Sequence, residues 1–228
     1  MVWTSDGRYI IKQVNKTDQA ALVKITKSYV EHVTGDNGSS LICRFYVHFH
    51  RPSDGQDYVV MGSCLPKPKL FPTADGSMLA KVQWAALYDL KGCRDDKTLV
   101  KEGADIEEVH MRCWDCNMMC WQHCLGDHAS EEREKYYQGK CHALECLLHT
   151  SSANHDEIMR RITNDCSFFD EHQLMDYSMV IGVQVVPYEE YETLLAAGSL
   201  PQQPYIAVYQ GVVYAYYMGI IDFLQERA

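Results

Sequence analysis

Met175-Asp176-Tyr177-Ser178, running into Met179-Val180-Ile181-Gly182-Val183, decides how this chain is read. A single carboxylate stands just before an apolar, β-branched stretch with the character of a strand. The pattern returns in reverse order downstream, where the apolar run Tyr214 to Ile221 leads into Gly219-Ile220-Ile221-Asp222. Two acids carried at strand ends suit a site that positions a nucleophile and a magnesium ion around a transferring phosphate. Ile10-Ile11-Lys12 and Asp89-Leu90-Lys91-Gly92 upstream add the cations that such chemistry needs.

The 228 residues are enough for one substantial domain, or for two small lobes sharing a cleft. With 46% hydrophobic and 23% charged residues the composition is that of a folded chain rather than a disordered one. No apolar run approaches the roughly 18 residues of a membrane span. Met1 to Asp6 lacks the basic start and apolar core of a secretory signal, so a soluble chain is expected. In that setting the ten cysteines read as reduced cytosolic thiols rather than a disulfide framework. A net charge of -10 argues against nucleic acid as a partner and against uniform attraction to anionic lipid. A local basic run, Lys67, Lys69, Lys81, Lys91, Arg94, Lys97 and Lys101, could still dock on such a surface, or be an ordinary solvated face.

Along the chain, Arg8 to Val14 reads as a strand. A helix capped by Asn15 or Thr17 follows, with Leu22, Ile25, Tyr29 and Val33 on one face, and Gly35 to Gly38 breaks it. Leu41 to His50 and Asp57 to Gly62 read as a hairpin turning at Pro52-Ser53-Asp54-Gly55. Pro66 to Pro72 is a loop and Trp84 to Leu90 another strand. Ile106 to Leu125, Glu131 to His149 and Asp156 to Phe169 read as helices. Then come a strand from Met179 to Val186, a short helix from Glu189 to Ala197, and one strand from Tyr205 to Tyr217. The expected organisation is a sheet-rich unit over 1–63 followed by a helix-rich unit over 64–228, with chemistry at their junction.

Taken singly, the chemical candidates have ordinary readings. A lysine in mid-strand usually faces solvent, an aspartate before Tyr-Ser is usually a cap or turn residue, and an Ile-Ile-Asp end is usually the edge of a strand. Their order is more specific. Asp6-Gly7-Arg8-Tyr9-Ile10-Ile11-Lys12, Tyr29-Val30-Glu31-His32-Val33, Leu41 to Tyr46, Tyr58-Val59-Val60-Met61, Tyr88-Asp89-Leu90-Lys91-Gly92, Asp165 to Phe169, Leu174 to Ser178 and Gly219 to Gln225 together resemble the phosphatidylinositol phosphate kinases. The resemblance spans nearly the whole sequence and is nearest to a phosphatidylinositol-4-phosphate 5-kinase-like core.

That resemblance implies a divergent protein-kinase-like two-lobe α+β fold, with an antiparallel-sheet N-lobe and a helical C-lobe with strands at the cleft. It implies that Lys12 contacts the phosphates of ATP, with Val60 and Met61 bordering adenine. Asp176 becomes the catalytic carboxylate and Asp222 the magnesium ligand, while Lys91 and Asp89 sit near the transferred phosphate or lipid headgroup. The implied substrate is a phosphatidylinositol monophosphate on the cytoplasmic face of membranes, and the implied location is cytoplasmic and peripheral to that face. The chain also departs from the family. Gly7 is the sole glycine before the Lys12 strand, where a glycine-rich hairpin is expected. Cys93 replaces a serine, Asp18 or Gln19 stands where a glutamate partner for Lys12 is expected, and the sequence stops at Ala228, short of an activation segment. Both ends are therefore read as curtailed. A kinase-like nucleotide-binding or scaffold domain without turnover is the alternative.

Cys113, Cys116, Cys120 and Cys124, with His110, His123 and His128 nearby, raise zinc as a possibility. On one helix the outer cysteines stand about 16 Å apart, too far to share an ion. Two neighbours plus Cys141 or Cys146 could form a site; burial as small apolar residues beside Trp114, Met118 and Trp121 is the preferred reading.

Overall fold

Alternation along Tyr9–Val14 sends Val14 into the interior and leaves Gln13 outside, as a half-buried strand requires. The computed structural model describes residues 1–5, 7–35, 39–65, 71–72, 78–79, 84–92, 97–105, 148–189, 191–192 and 205–226. The strand is β2; Val2–Trp3 is β1, Lys16–Thr34 is α1, Phe45–Arg51 is β3 and Gln56–Gly62 is β4. They form a four-stranded antiparallel sheet in the order β1-β2-β4-β3. Asn15 caps α1 by accepting a hydrogen bond from the Asp18 amide at 2.8 Å. The buried face of the helix carries Ala21, Leu22, Ile25, Tyr29 and Val33, the spacing anticipated from sequence.

The remaining strands are Phe71–Pro72 (β5), Met78–Leu79 (β6), Ala86–Leu90 (β7), Lys97–Lys101 (β8), Ala104–Asp105 (β9), Leu174–Met175 (β10), Ser178–Pro187 (β11), Tyr205–Tyr209 (β12), Val212–Ile221 (β13) and Gln225–Glu226 (β14). Six of them build a second antiparallel sheet in the order β12-β13-β11-β7-β8-β9. The second helix among the described residues, α2, is Ser152–Glu171, capped by Ser151. The architecture is thus α+β with antiparallel sheets. No helix among the described residues is long and apolar enough to cross a membrane.

Three readings change. The strand expected from Tyr205 to Tyr217 is a hairpin, because Gln210 and Gly211 take φ of +51° and +76° and turn the chain in two residues. Positive φ at both central positions matches the right-handed twist of the flanking strands. The strand expected from Leu41 begins only at Phe45, since Ile42 is engaged by Ile220 in a parallel bridge instead. The loop expected from Pro66 to Pro72 ends in β5, which pairs with β6. The helices expected over 106–125 and over most of 131–149, the four zinc-candidate cysteines, Lys67, Lys69, Lys81 and Arg94, and the helix expected over 189–197 beyond 192 lie outside the described residues.

The two sheets meet at that bridge, where Cys43 N donates to Ile220 O at 2.9 Å and Ile220 N donates to Leu41 O at 2.8 Å. Around it lies a core of Val14, Leu22, Ile25, Tyr29, Val59, Phe169, Leu174 and Phe223, among others. Tyr29 spans it: its hydroxyl donates to Cys43 O and accepts from Phe45 N, both at 2.8 Å. Burial pushes that phenol well above its ordinary value.

Asp165 ties α2 to the same junction. Its fully buried carboxylate accepts from Leu41 N at 2.7 Å, Ser40 Oγ at 2.8 Å and His32 Nε2 at 2.7 Å. Removing one partner of such a set leaves buried donors unsatisfied. Asp165→Ala is therefore expected to cost about 3 kcal/mol in urea unfolding, with faster hydrogen exchange at the Leu41 amide. A loss smaller than about 1 kcal/mol, the worth of an ordinary neutral hydrogen bond, would show that this carboxylate is not the tie.

Candidate active site

Strand register brings distant acids together. In the antiparallel pair β11–β13, Ser178 lies opposite Ile221, so Asp176 and Asp222 leave the same end of the ladder from adjacent strands. β7 flanks β11 on its other side, with Leu90 opposite Met179, which puts Lys91 at that end too. Beyond the acids the chains pair again, Leu174 with Glu226 and Met175 with Gln225. The two aspartates thus occupy the gap between two antiparallel ladders. Both adopt left-handed backbone, φ +60° at Asp176 and +57° at Asp222, a conformation that aspartate tolerates better than most residues.

The residue after Asp222 anchors it. Phe223 is fully buried, its ring 5.9 Å from Tyr29, 5.3 Å from Phe45 and 5.4 Å from Phe169 between centroids. Tyr177, the residue after Asp176, stacks on Phe169 at 4.3 Å. Each acid is therefore followed by an aromatic side chain seated on one shared ring.

Opposite the acids stands the four-stranded sheet. Lys12 of β2 pairs in register with Val59 of β4, and the Lys12 ammonium makes an ion pair with Asp222 Oδ1. Lys91 makes a second ion pair, with Asp176 Oδ1. A cleft of about 490 Å³ holds all four, together with Asp89, Ser178, Asn15, Asp18 and an apolar wall that includes Phe45, Val59 and Met61.

The sequence-derived candidates Lys12, Asp89, Lys91, Asp176, Asp222 and Met61 thus converge on one cleft. Val60 does not join them. Along β4, Val59 and Met61 point to the buried face while Val60 points to the other, a consequence of two-residue alternation. Val59 takes the wall position, and its register with Lys12 is the signal that could have found it. Gln19 is directed elsewhere, to His48 at 3.4 Å, whereas Asp18 does line the cleft. A hairpin does precede Lys12: β1 and β2 are joined through Gly7, whose amide donates to Thr4 O at 2.9 Å.

Four aspartates, residues 18, 89, 176 and 222, face two lysines in this cleft. An all-oxygen donor set of carboxylates suits a hard cation such as magnesium. Among the described residues no three His, Cys, Asp or Glu side chains form a metal cage by themselves. That is compatible with magnesium, which is usually held by one or two carboxylates and completes its shell with phosphate and water.

The family model for phosphatidylinositol-4-phosphate 5-kinase matches residues 1–205, and the chain belongs to this family. Membership implies a kinase-like fold, with which the antiparallel α+β architecture is compatible. Phosphatidylinositol 4-phosphate 5-kinase 1 of Arabidopsis thaliana is 27% identical over 184 residues, covering 79% of this chain and 19% of that protein. A probable phosphatidylinositol phosphate kinase of Dictyostelium discoideum is 25% identical over 193 residues, 83% of this chain and 21% of that protein. Phosphatidylinositol 4-phosphate 5-kinase of Plasmodium falciparum is 23% identical over 210 residues, 84% of this chain and 10% of that protein. The chain spans between about a tenth and about a fifth of the length of these relatives.

Because Phe223 anchors Asp222, its truncation should be felt in stability. Phe223→Ala is expected to lower the unfolding free energy by about 3–5 kcal/mol, and Phe223→Leu by clearly less. Equal and small losses in guanidinium unfolding would show that the ring does not hold the segment.

Proposed function

We propose that this chain is the catalytic core of an ATP- and magnesium-dependent lipid kinase that phosphorylates the inositol ring of a phosphatidylinositol monophosphate. The observation that carries this reading is the convergence of Lys12, Asp176 and Asp222 in one cleft, in a member of this family. The names of the relatives point to phosphatidylinositol 4-phosphate and ring position five. The enzyme then works in the cytoplasm, at the cytoplasmic face of a membrane, and the two sheets belong to the two lobes of a kinase.

Phosphoryl transfer asks a protein mainly for positioning and charge. In this reading the Lys12 ammonium leaves Asp222 and contacts the phosphates of ATP. Asp222, aided by Asp89, would hold magnesium, which would supply positive charge against the phosphates. Asp176 accepts a hydrogen bond from the attacking ring hydroxyl, aligns its oxygen with the γ-phosphorus and takes its proton as the new P–O bond forms, while the bond from the γ-phosphorus to the β–γ bridging oxygen breaks and ADP leaves. Lys91, freed from Asp176 as substrate enters, neutralises charge on the transferred group. Val59 and Met61 offer the adenine ring an apolar wall and the peptide groups at the end of β4.

The test is transfer of labelled phosphate from ATP to vesicles containing phosphatidylinositol 4-phosphate. Asp176→Asn should cut turnover by about 10² to 10⁴ while leaving the unfolding curve unchanged. Undiminished turnover in this variant would remove Asp176 from the chemistry.

The two ion pairs favour a second reading, a kinase-like nucleotide-binding or scaffold domain, since each candidate acid already has a lysine partner. Nucleotide with magnesium stabilises either kind of protein by mass action, and Lys12→Met should abolish that thermal shift in both. Only the enzyme labels lipid. A thermal shift without label on lipid supports the scaffold.

A further inference from the structure

Beside the ion-pair cleft, two cysteines meet, one in the segment entering β3 and one in the segment leaving β4. Cys43 is buried; its amide is bonded to Ile220 and its Sγ lies 2.8 Å from Gly62 O. Cys64, two residues beyond β4, is half-buried and lies flat on Gly219 of β13. A Cβ at Gly219 would stand 2.1 Å from Cys64 Sγ and 2.5 Å from its Cβ, so only glycine leaves room for this thiol. The Cys43 thiol donates to Gly62 O, and the Cys64 thiol lies close enough for each to perturb the other. Main-chain bonds hold the strands that carry them, with Gly62 N donating to Arg44 O at 2.8 Å.

We propose that Cys43 and Cys64 are an oxidative modification site, closing to a reversible disulfide when a peroxide reaches Cys64. The Cys64 sulfur attacks a peroxide oxygen, the O–O bond breaks, and the departing hydroxide takes a proton to leave as water. Cys64 is then a sulfenic acid. The Cys43 sulfur attacks the Cys64 sulfur, the S–O bond breaks, and the hydroxyl leaves as water with the Cys43 proton. Two thiols lose two electrons in all, and one hydrogen peroxide becomes two waters. The order of attack follows exposure, since Cys64 is half-buried and Cys43 buried; the mutual influence of the two thiols acts the same way, holding Cys64 below its ordinary value and, together with burial, pushing Cys43 well above it. The new bond joins the segment entering β3 to the segment leaving β4, directly over the strand that delivers Asp222.

The experiment treats the reduced full chain with mild hydrogen peroxide, blocks remaining thiols with iodoacetamide and maps peptides without reductant. The Cys43 and Cys64 peptides are expected linked, two hydrogens lighter than their sum, and separable by reductant. Since oxidation favours the accessible, more acidic thiol, this link should exceed any link to another cysteine on the order of tenfold. Cys43→Ser should leave Cys64 as a sulfenic acid that dimedone traps; Cys64→Ser should leave Cys43 fully alkylated. Recovery of both peptides unlinked and alkylated, or links scattered among the ten cysteines, overturns the proposal. The map of the unaltered chain decides the matter alone if either variant does not fold.

Discussion

The pairing of Ser178 with Ile221 is the constraint on which the site depends. The β11–β13 ladder continues in register through ten pairs to Pro187 and Val212, and a slip of one residue would send every side chain to the opposite face. Val180 and Ile181, and Ala215, Tyr216 and Tyr217, are consecutive and all buried, so both faces are packed and a slip would drive each side chain into a space shaped for its neighbour. The cost of such a slip fixes where the strands end, and therefore where Asp176 and Asp222 stand. Chemistry at the tip is a by-product of packing in the body of the sheet.

The ion pairs hold much less. The Lys12–Asp222 and Lys91–Asp176 pairs reach solvent at the cleft mouth, with 51% and 52% of the two carboxylate side chains exposed. Exposed pairs of this kind contribute about 0–1 kcal/mol, against several for a buried aromatic ring. Phe223, Tyr177 and the flanking ladders keep the acids in place. The lysines can change partners without loosening the structure.

Much of this could be read from the sequence, and the limits have physical causes. The face of α1, the strand bearing Lys12 and the hairpin turning at Gly55 announce themselves by periodicity and turn chemistry, which are local. The convergence of Lys12, Asp176 and Asp222 was legible only because the ordered motifs resemble a known family; no single residue carries it. The face of β4 was not legible, since Val59-Val60-Met61 is apolar throughout and only pairing with Lys12 settles which members look inward. Gln210-Gly211 escaped notice because glutamine seldom takes positive φ, so the hairpin looked like one long strand. The role of Asp165 as a buried hub depends on Ser40, Leu41 and His32, more than 120 positions away, and no local pattern signals it.

The left-handed backbone at Asp176 and Asp222 has a consequence for descent. Aspartate, asparagine and glycine accept that conformation at little cost, whereas a β-branched residue adds about 1–2 kcal/mol of strain at each position. Geometry therefore admits three residue types at these sites, of which only aspartate carries a charge. A lineage with no need of charge at these two sites would drift first to asparagine or glycine, keeping its shape after the carboxylates were gone. Valine or isoleucine there would mark a relative in which the segment itself had been rebuilt.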